Sequence, residues 1–438
     1  MPADPWSIAD ALTRLEPPRI PDRTTRAALP AEGDALPALT AAIAAAHAAG
    51  GGRVVVGRGR HLLRGSLVLR DRVEVHLEDG ATLAFSGEPG DFLPPAFQRW
   101  EGTECWSHAP LITARDATDI ALTGSGTIDG GGSRAFTAFQ PIQDPDKARL
   151  RDMGHRGVPV DQRVFGAGTH LRPSLFQPLG CARVLLQGVT LTDSPFWVIH
   201  PTYCRQVIVR GVTVDSRNPN NDGCDPDSCE DVLVEDCTFR TGDDGVAIKS
   251  GRDEDAWRVG RPTRRVLVRR CVLDSEINGL CIGSEMGGGV ADIFMEDCRI
   301  DEADSVLYLK GSRERGGFIT DIHMRRIAVG RARQAAIRFE PTYKGVLDGE
   351  HPPEVARVRI SEVTCRQADR YALVIDGDPR RPVRDVHLDR VVIDRAAETV
   401  WLRHADQVRC TAVTVNGAAV PEFPPAAPAE AVLAALRA

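Results

Sequence analysis

Val207-Ile208-Val209-Arg210-Gly211-Val212-Thr213-Val214 holds two short runs of alternating apolar residues, separated by a two-residue break. Val232-Leu233-Val234-Glu235-Asp236-Cys237-Thr238-Phe239 repeats the pattern with the same phases. Working outward, it recurs upstream at Val184/Leu186/Val189/Leu191 and downstream at Val266/Val268/Cys271/Leu273, Ile293/Met295/Cys298/Ile300 and Ile322/Met324/Ile327/Val329. Val358/Ile360/Val363/Cys365, Val386/Leu388/Val391/Ile393 and Val408/Cys410/Val413/Val415 complete nine copies. By subtraction, their first positions lie 22 to 36 residues apart. Alternation with period two is the signature of a strand, and a helical period of 3.6 would drift out of phase over nine copies. Each copy therefore reads as two short strands meeting at a bend, stacked on its neighbours about 4.8 Å away to bury one continuous apolar core. The class is all-β, a parallel β-helix, with variable loops confined to the turns of each coil. A β-sandwich would need closely spaced antiparallel turn signals instead.

An open solenoid end exposes unpaired strand edges and needs a cap. Leu39 to Ala49 is alanine-rich, is stopped by Gly50-Gly51-Gly52, and reads as a capping helix before the strand at Val54-Val55-Val56. A second short helix is expected in the C-terminal AEAVLAALRA, and a large irregular loop over residues 130–170. The expected organisation is one domain over 1–438: an N-terminal segment with its capping helix (1–60), the β-helix with groove loops (61–416), and a tail (417–438).

Of the 438 residues, 42% are hydrophobic and 26% charged, with a net charge of −7 and no basic run. Nothing in this balance supports a nucleic-acid or membrane-surface partner. No segment approaches the roughly 18 apolar residues of a membrane span. The acidic, proline-broken N-terminus does not resemble a signal peptide, so a cytoplasmic location is expected. The eleven cysteines include no CxxC pair, and Cys237, Cys271 and Cys298 share one position of the repeat, so they read as buried core residues.

Two successive coils concentrate acid: Asn220-Asn221-Asp222-Gly223-Cys224-Asp225-Pro226-Asp227 and Gly242-Asp243-Asp244-Gly245. Asp222 falls 15 residues after the first rung position of its coil and Asp244 12 after its own, so a loop three residues longer could bring them side by side. Crowded carboxylates repel, and desolvation adds to the effect, raising the pKa of at least one. One protonated and one ionised carboxyl is the pair that glycoside cleavage needs. Adjacent strand residues face opposite ways, so Asp243 and Asp244 can share a groove only if Gly242 and Gly245 allow an irregular turn. Asp225 and Asp227 read as turn builders. A calcium site at Asp222, Asp225 and Asp227 lacks EF-hand spacing, and no metal or cofactor is expected.

At these residues the chain resembles the polygalacturonases, glycoside hydrolase family 28, from about Ala38 to Ile393. Asn220-Asn221-Asp222 is similar to the family's Asn-Thr-Asp, and Gly242-Asp243-Asp244 to its Gly/Gln-Asp-Asp. Ser194-Pro195-Phe196-Trp197, Ile248-Lys249-Ser250-Gly251-Arg252 and Ile282-Gly283-Ser284-Glu285 resemble bacterial members. The resemblance implies a single-stranded, right-handed β-helix and an inverting hydrolase, with Asp243 as general acid and Asp222 and Asp244 activating water. Two motifs depart from the family pattern. Its Gly-His-Gly falls in Asp274-Ser275-Glu276-Ile277-Asn278-Gly279, where Ile277 or Asn278 replaces the histidine. Its Arg-Ile-Lys reads Tyr308-Leu309-Lys310, so the arginine that would grip a substrate carboxylate is a tyrosine.

Asn220, Lys249, Arg252, Asn278, Tyr308, Lys310, Arg313 and Tyr343 are the expected substrate-binding residues, with Arg315 a further candidate and His200 a structural histidine. The expected activity is inverting, exo-type hydrolysis of galacturonate- or rhamnogalacturonan-derived oligosaccharides. Alternatives are hydrolysis of another, neutral-sugar linkage on the same fold, or a β-helix that binds carbohydrate without turnover. A β-eliminating lyase would need a calcium or basic-residue site. The expected partner is an oligosaccharide or polysaccharide, and the oligomeric state stays open.

Overall fold

The structure is a computed structural model that describes residues 8–340, 343 and 349–420. It comprises two compact units, Met1–Gly242 and Asp243–Ala438, and their boundary falls inside the Gly-Asp-Asp motif rather than at a linker. The expected C-terminal helix lies outside the described residues. No helix among the described residues is long and apolar enough to cross a membrane.

In the first unit, strands Ala182–Gln187, Arg205–Arg210 and Glu230–Glu235 pair in parallel, with Val184, Val207 and Val232 in register. The second half of the repeat forms its own row, Leu191 on Val214 on Phe239. The ladder also reaches upstream of the repeat read from sequence, through Leu122 on Leu186, Val75 on Leu122 and Val54 on Val75. A third row runs through Ile112–Arg115 and Phe176–Leu179 and continues as bridges at Ile199 and Cys224. The capping helix spans Leu36–Ala48, starts on a proline in its first turn, and buries Leu39 and Ile43. Gly50 ends it with a left-handed φ of 91°.

The second unit repeats the scheme. Val266, Ile293, Ile322, Val358, Val386 and Val408 form one aligned row. Leu273, Ile300, Val329, Cys365, Ile393 and Val415 form the next. A third row aligns Leu280, Leu307, Ile337, Leu373 and Val400. The long interval between Val232 and Val266 accommodates a short helix, Asp253–Val259.

The bend between the two halves of each repeat has a backbone cause. The residue just before the second apolar pair is left-handed in every copy: Gly188, Gly211, Asp236, Arg270, Asp297, Arg326, Glu362, Arg390 and Ala412. Seven of these nine are not glycine, although the left-handed region costs other residues about 1–2 kcal/mol. Rung burial on both sides of the bend offsets that cost. All eleven cysteines are buried thiols. At the bends, Cys237 and Cys298 each donate to the carbonyl two residues back, at 3.2 Å.

Residues 130–170 are not the irregular loop expected. They contain helix Asp144–His155 and two 3-10 segments, Phe136–Ile142 and Val160–Gln162. Leu150 anchors the helix in a cluster with Trp100, Phe165, Phe196 and Trp197. The Asp144-Pro145-Asp146 start, a proline and acids in a first turn, was the available signal. The remaining apolar stripe is too narrow to advertise a helix.

Candidate active site

In the first unit, strand Thr213–Ser216 runs into the turn that carries Asp222. Asn221 is fully buried and organises this turn. Its Oδ1 accepts from Ser216 Oγ (2.5 Å) and the Asn218 amide (3.2 Å), while its Nδ2 donates to the carbonyls of Ser194 and Phe196. Asn220 is left-handed (φ 59°), and its Oδ1 accepts from Arg172 at 2.6 Å. Arg172 also donates to the Pro195 and Pro219 carbonyls. Asn220, expected at substrate, is thus part of the scaffold that shapes the Asp222 turn. Asp222 is 3% exposed, and its carbonyl accepts from the Val198 amide at 2.9 Å.

Gly242 presses against the same turn: a Cβ there would lie 2.3 Å from the Asn218 carbonyl oxygen. Its amide donates to the Ser216 carbonyl at 3.1 Å. Glycine at 242 is needed for this close approach of two turns, and the next residue in the chain is Asp243.

The turn-building reading of Asp227 is corrected. Its side chain is completely buried and accepts from Arg99, itself 1% exposed, at 2.8 Å. His200 Nε2 lies 3.5 Å from the other Asp227 oxygen, while its Nδ1 meets Ser174 Oγ at 3.2 Å. His200 is thus buried between Ser174 and Asp227. Asp225 is likewise buried, its amide donating to the Ile199 carbonyl.

In the second unit, the chain resumes a strand only at Val246, so Asp243 and Asp244 sit in the irregular turn that the sequence requires. A Cβ on Gly245 would come within 2.6 Å of Leu273 Cδ2, and its amide donates to the Asn278 carbonyl at 2.7 Å. Asp243 is half-buried and accepts the Asp244 amide on Oδ1 at 3.0 Å. Asp244 is 1% exposed. Lys310 Nζ donates to its Oδ2 at 3.0 Å, and Asn278 Nδ2 to its Oδ1 at 2.6 Å.

Burial alone would raise the Asp244 pKa, but Lys310, Lys249 and the two hydrogen bonds outweigh it and hold the carboxyl below its usual range. The expected upward shift does not occur at this residue; it is kept ionised. Burial pulls the Lys310 pKa down, yet Asp244 more than compensates, and the ammonium stays charged. Among residues able to offer a cation a carboxylate are Asp222, Asp243 and Asp244. Both oxygens of Asp244 already accept N–H donors.

Of the two residues that could stand where the family has its histidine, Asn278 is buried against Asp244 and Ile277 is exposed. Asn278 and Lys310, both expected at substrate, each hold an oxygen of Asp244. Lys249 and Arg252 lie 3.5 Å from the two oxygens of Glu285, a buried acid the sequence reading noted only as part of a motif. Burial raises the Glu285 pKa, but Lys249, Arg252 and Arg315 drive it well below the ordinary range. Arg315 donates to the Ser284 carbonyl at 2.6 Å and pairs with Asp253. Arg313 is drawn to Asp378, so it belongs to a loop-closing pair.

Tyr308, the residue in place of arginine, donates to Glu340 at 2.6 Å and has Arg338 over its ring at 4.7 Å. Tyr343 is held by its amide on the Gly311 carbonyl, with Lys310 Nζ 5.4 Å from its ring centre.

Stacked parallel rungs with a half-buried acid beside an ionised, cation-held one define a carbohydrate-cleaving parallel β-helix. The glycosyl hydrolases family 28 profile matches residues 62–418, and the chain belongs to that family. It is a polygalacturonase-type glycoside hydrolase. The chain is 28% identical over 380 residues to a probable polygalacturonase of Vitis vinifera, covering 84% of this chain and 71% of that protein. The crystal structure of a hyperthermoactive exopolygalacturonase from Thermotoga maritima superposes with a TM-score of 0.90 at 33% identity, over 95% of this chain and 96% of that one. A family 28 exopolygalacturonase from Yersinia enterocolitica, at 20% identity and TM-score 0.75 over 90% of this chain and 75% of that one, shares the fold.

Proposed function

We propose that this enzyme hydrolyses galacturonate-containing oligosaccharides from a chain end, with inversion at the anomeric carbon. Asp243 protonates the glycosidic oxygen as the bond breaks. Asp222 and Asp244 remove a proton from the water that attacks the opposite face of the sugar. The observation that carries this reading is the paired hold of Lys310 and Asn278 on Asp244, which keeps one carboxyl charged beside the more open Asp243. The fixed ammonium and amide supply in advance an environment that water would otherwise have to reorganise to provide. The exo assignment is supported by the 33% identity to the exopolygalacturonase of Thermotoga maritima.

A chain-end attack releases one short product from the first turnover, whereas internal attack yields a ladder of lengths. Time-resolved product sizing on defined oligogalacturonates, with the product anomer read by proton NMR, tests both claims. A ladder at early times defeats the exo reading, and a retained anomer defeats inversion. A second reading, a neutral or rhamnose-containing substrate, is favoured by Tyr308, whose hydroxyl is committed to Glu340 where the family carries a carboxylate-gripping arginine. Faster cleavage of rhamnogalacturonan fragments than of oligogalacturonates would select it.

A further inference from the structure

The strand row that holds Tyr308 continues in register through Arg338 and Val374 to Trp401. Three rungs separate Tyr308 from Trp401, about 14 Å along the stack. At the far end lies a cleft of about 190 Å³, lined by Tyr371, Trp401, Arg338, Arg370 and Gln334 among others. That is below the ~300–1,000 Å³ of sites for drug-sized ligands, a size for one ring rather than a chain.

Its chemistry is specific. Tyr371 and Trp401 stand edge-to-face at 6.4 Å, a rigid aromatic corner for the apolar face of a sugar. The two acids on the cleft wall are already matched, Glu340 by Arg338 at 2.6 Å and Asp376 by Arg403 at 2.5 Å. Arg370 is exposed, donates to Gln334 Oε1 at 3.0 Å, and lies 5.7 Å from the centre of the Tyr371 ring. Among the described residues it has no carboxylate partner, so its planar fork is available to an anion.

We infer that the Tyr371–Trp401 cleft is a distal subsite that binds a uronate ring of an oligosaccharide whose scissile end lies at Asp243 and Asp244. The ring stacks on the aromatic corner and its carboxylate meets Arg370, which makes turnover depend on chain length. This rests on the galacturonate reading above and adds to it a reach of several sugars.

The test is the ratio of kcat/KM for a galacturonate pentasaccharide to that for the disaccharide. Wild type should favour the pentasaccharide. Trp401→Ala should cut the ratio about tenfold, and Arg370→Gln should cut it less and chiefly at low salt. Trp401→Phe should restore most of the ratio, and Tyr371→Ala reports on the same corner should Trp401→Ala fold poorly. Val392→Ser, an exposed position on another strand row, is the control and should leave the ratio alone. A wild type without length preference, or a folded Trp401→Ala that keeps it, overturns the subsite while the hydrolase reading stands. Wild type inert on both galacturonates overturns the functional reading, and the uronate subsite with it.

Discussion

Two buried aspartates in this molecule make an instructive pair. In the first unit, Asp227 faces Arg99, with the Ser228 hydroxyl and His200 completing the pocket. In the second, Asp244 faces Lys310 and Asn278. Each is almost wholly out of solvent and each opposes a cation. Burial and charge therefore do not by themselves mark the chemistry. The difference is what stands next to the carboxylate. Arg99 spreads its donors over Asp227, Ser228 and the Gly102 carbonyl, tying loops together. Lys310 supplies a compact charge beside aromatic rings, and Asp244 has a half-exposed acid as its chain neighbour. One carboxylate is a brace and the other is held ready.

The largest expected effect sharpens that contrast. Asp243→Asn should lower kcat by about 10²–10⁴-fold, the usual worth of a general acid, with little change in the urea midpoint because the side chain is only half-buried. Activity near wild type in purified protein would remove Asp243 from the mechanism. Next come the cations. Arg99→Met and Lys310→Met each strand a buried carboxylate, and each should cost about 3–5 kcal/mol in denaturant unfolding. Their kinetics should differ: Lys310→Met also loses kcat, while Arg99→Met keeps kcat per folded molecule. Equal kinetic losses would break the comparison.

A smaller effect is expected at Asn278. Asn278→Ala removes a hydrogen bond to a charged group, worth about 1.5–3 kcal/mol. The acidic limb of the kcat/KM profile should move to higher pH, because Asp244 loses one of the donors that favour its ionised form. An unmoved limb would assign Asn278 to packing alone. The smallest is a stability effect of pH. Asp244 is depressed in the folded protein, so its contribution is complete above the unfolded carboxyl value near ~4. It is lost as pH falls through the lower folded value. Urea midpoints taken below pH 5 should therefore decline more steeply in wild type than in Asp244→Asn.

The rungs were legible because their signal is local: side chains alternating on a strand, repeated nine times from Val184 to Val415. The earlier coils were not, because the hairpin Ala96–Trp100 and Thr103–Ser107 and the helix Asp144–His155 interrupt their spacing. Asp222, Asp243 and Asp244 stood out as a constellation. The partners of Asp244 did not, since Asn278 and Lys310 reach it only through the alignment of strands far apart in sequence. Both looked like groove residues from their motifs. Glu285 carried no pattern of its own, and only the convergence of Lys249, Arg252 and Arg315 on it shows why an acid is buried there.

The left-handed corners have a consequence for how such a molecule can change. Each corner is set by the dihedral of one residue, and it recurs whether the gap to the next copy is 22 residues or 36. Lengthening a connector leaves the following corner and its rung where they were. The scaffold thus separates inheritance of its interior from variation of its rim, and new specificities can be tried one connector at a time.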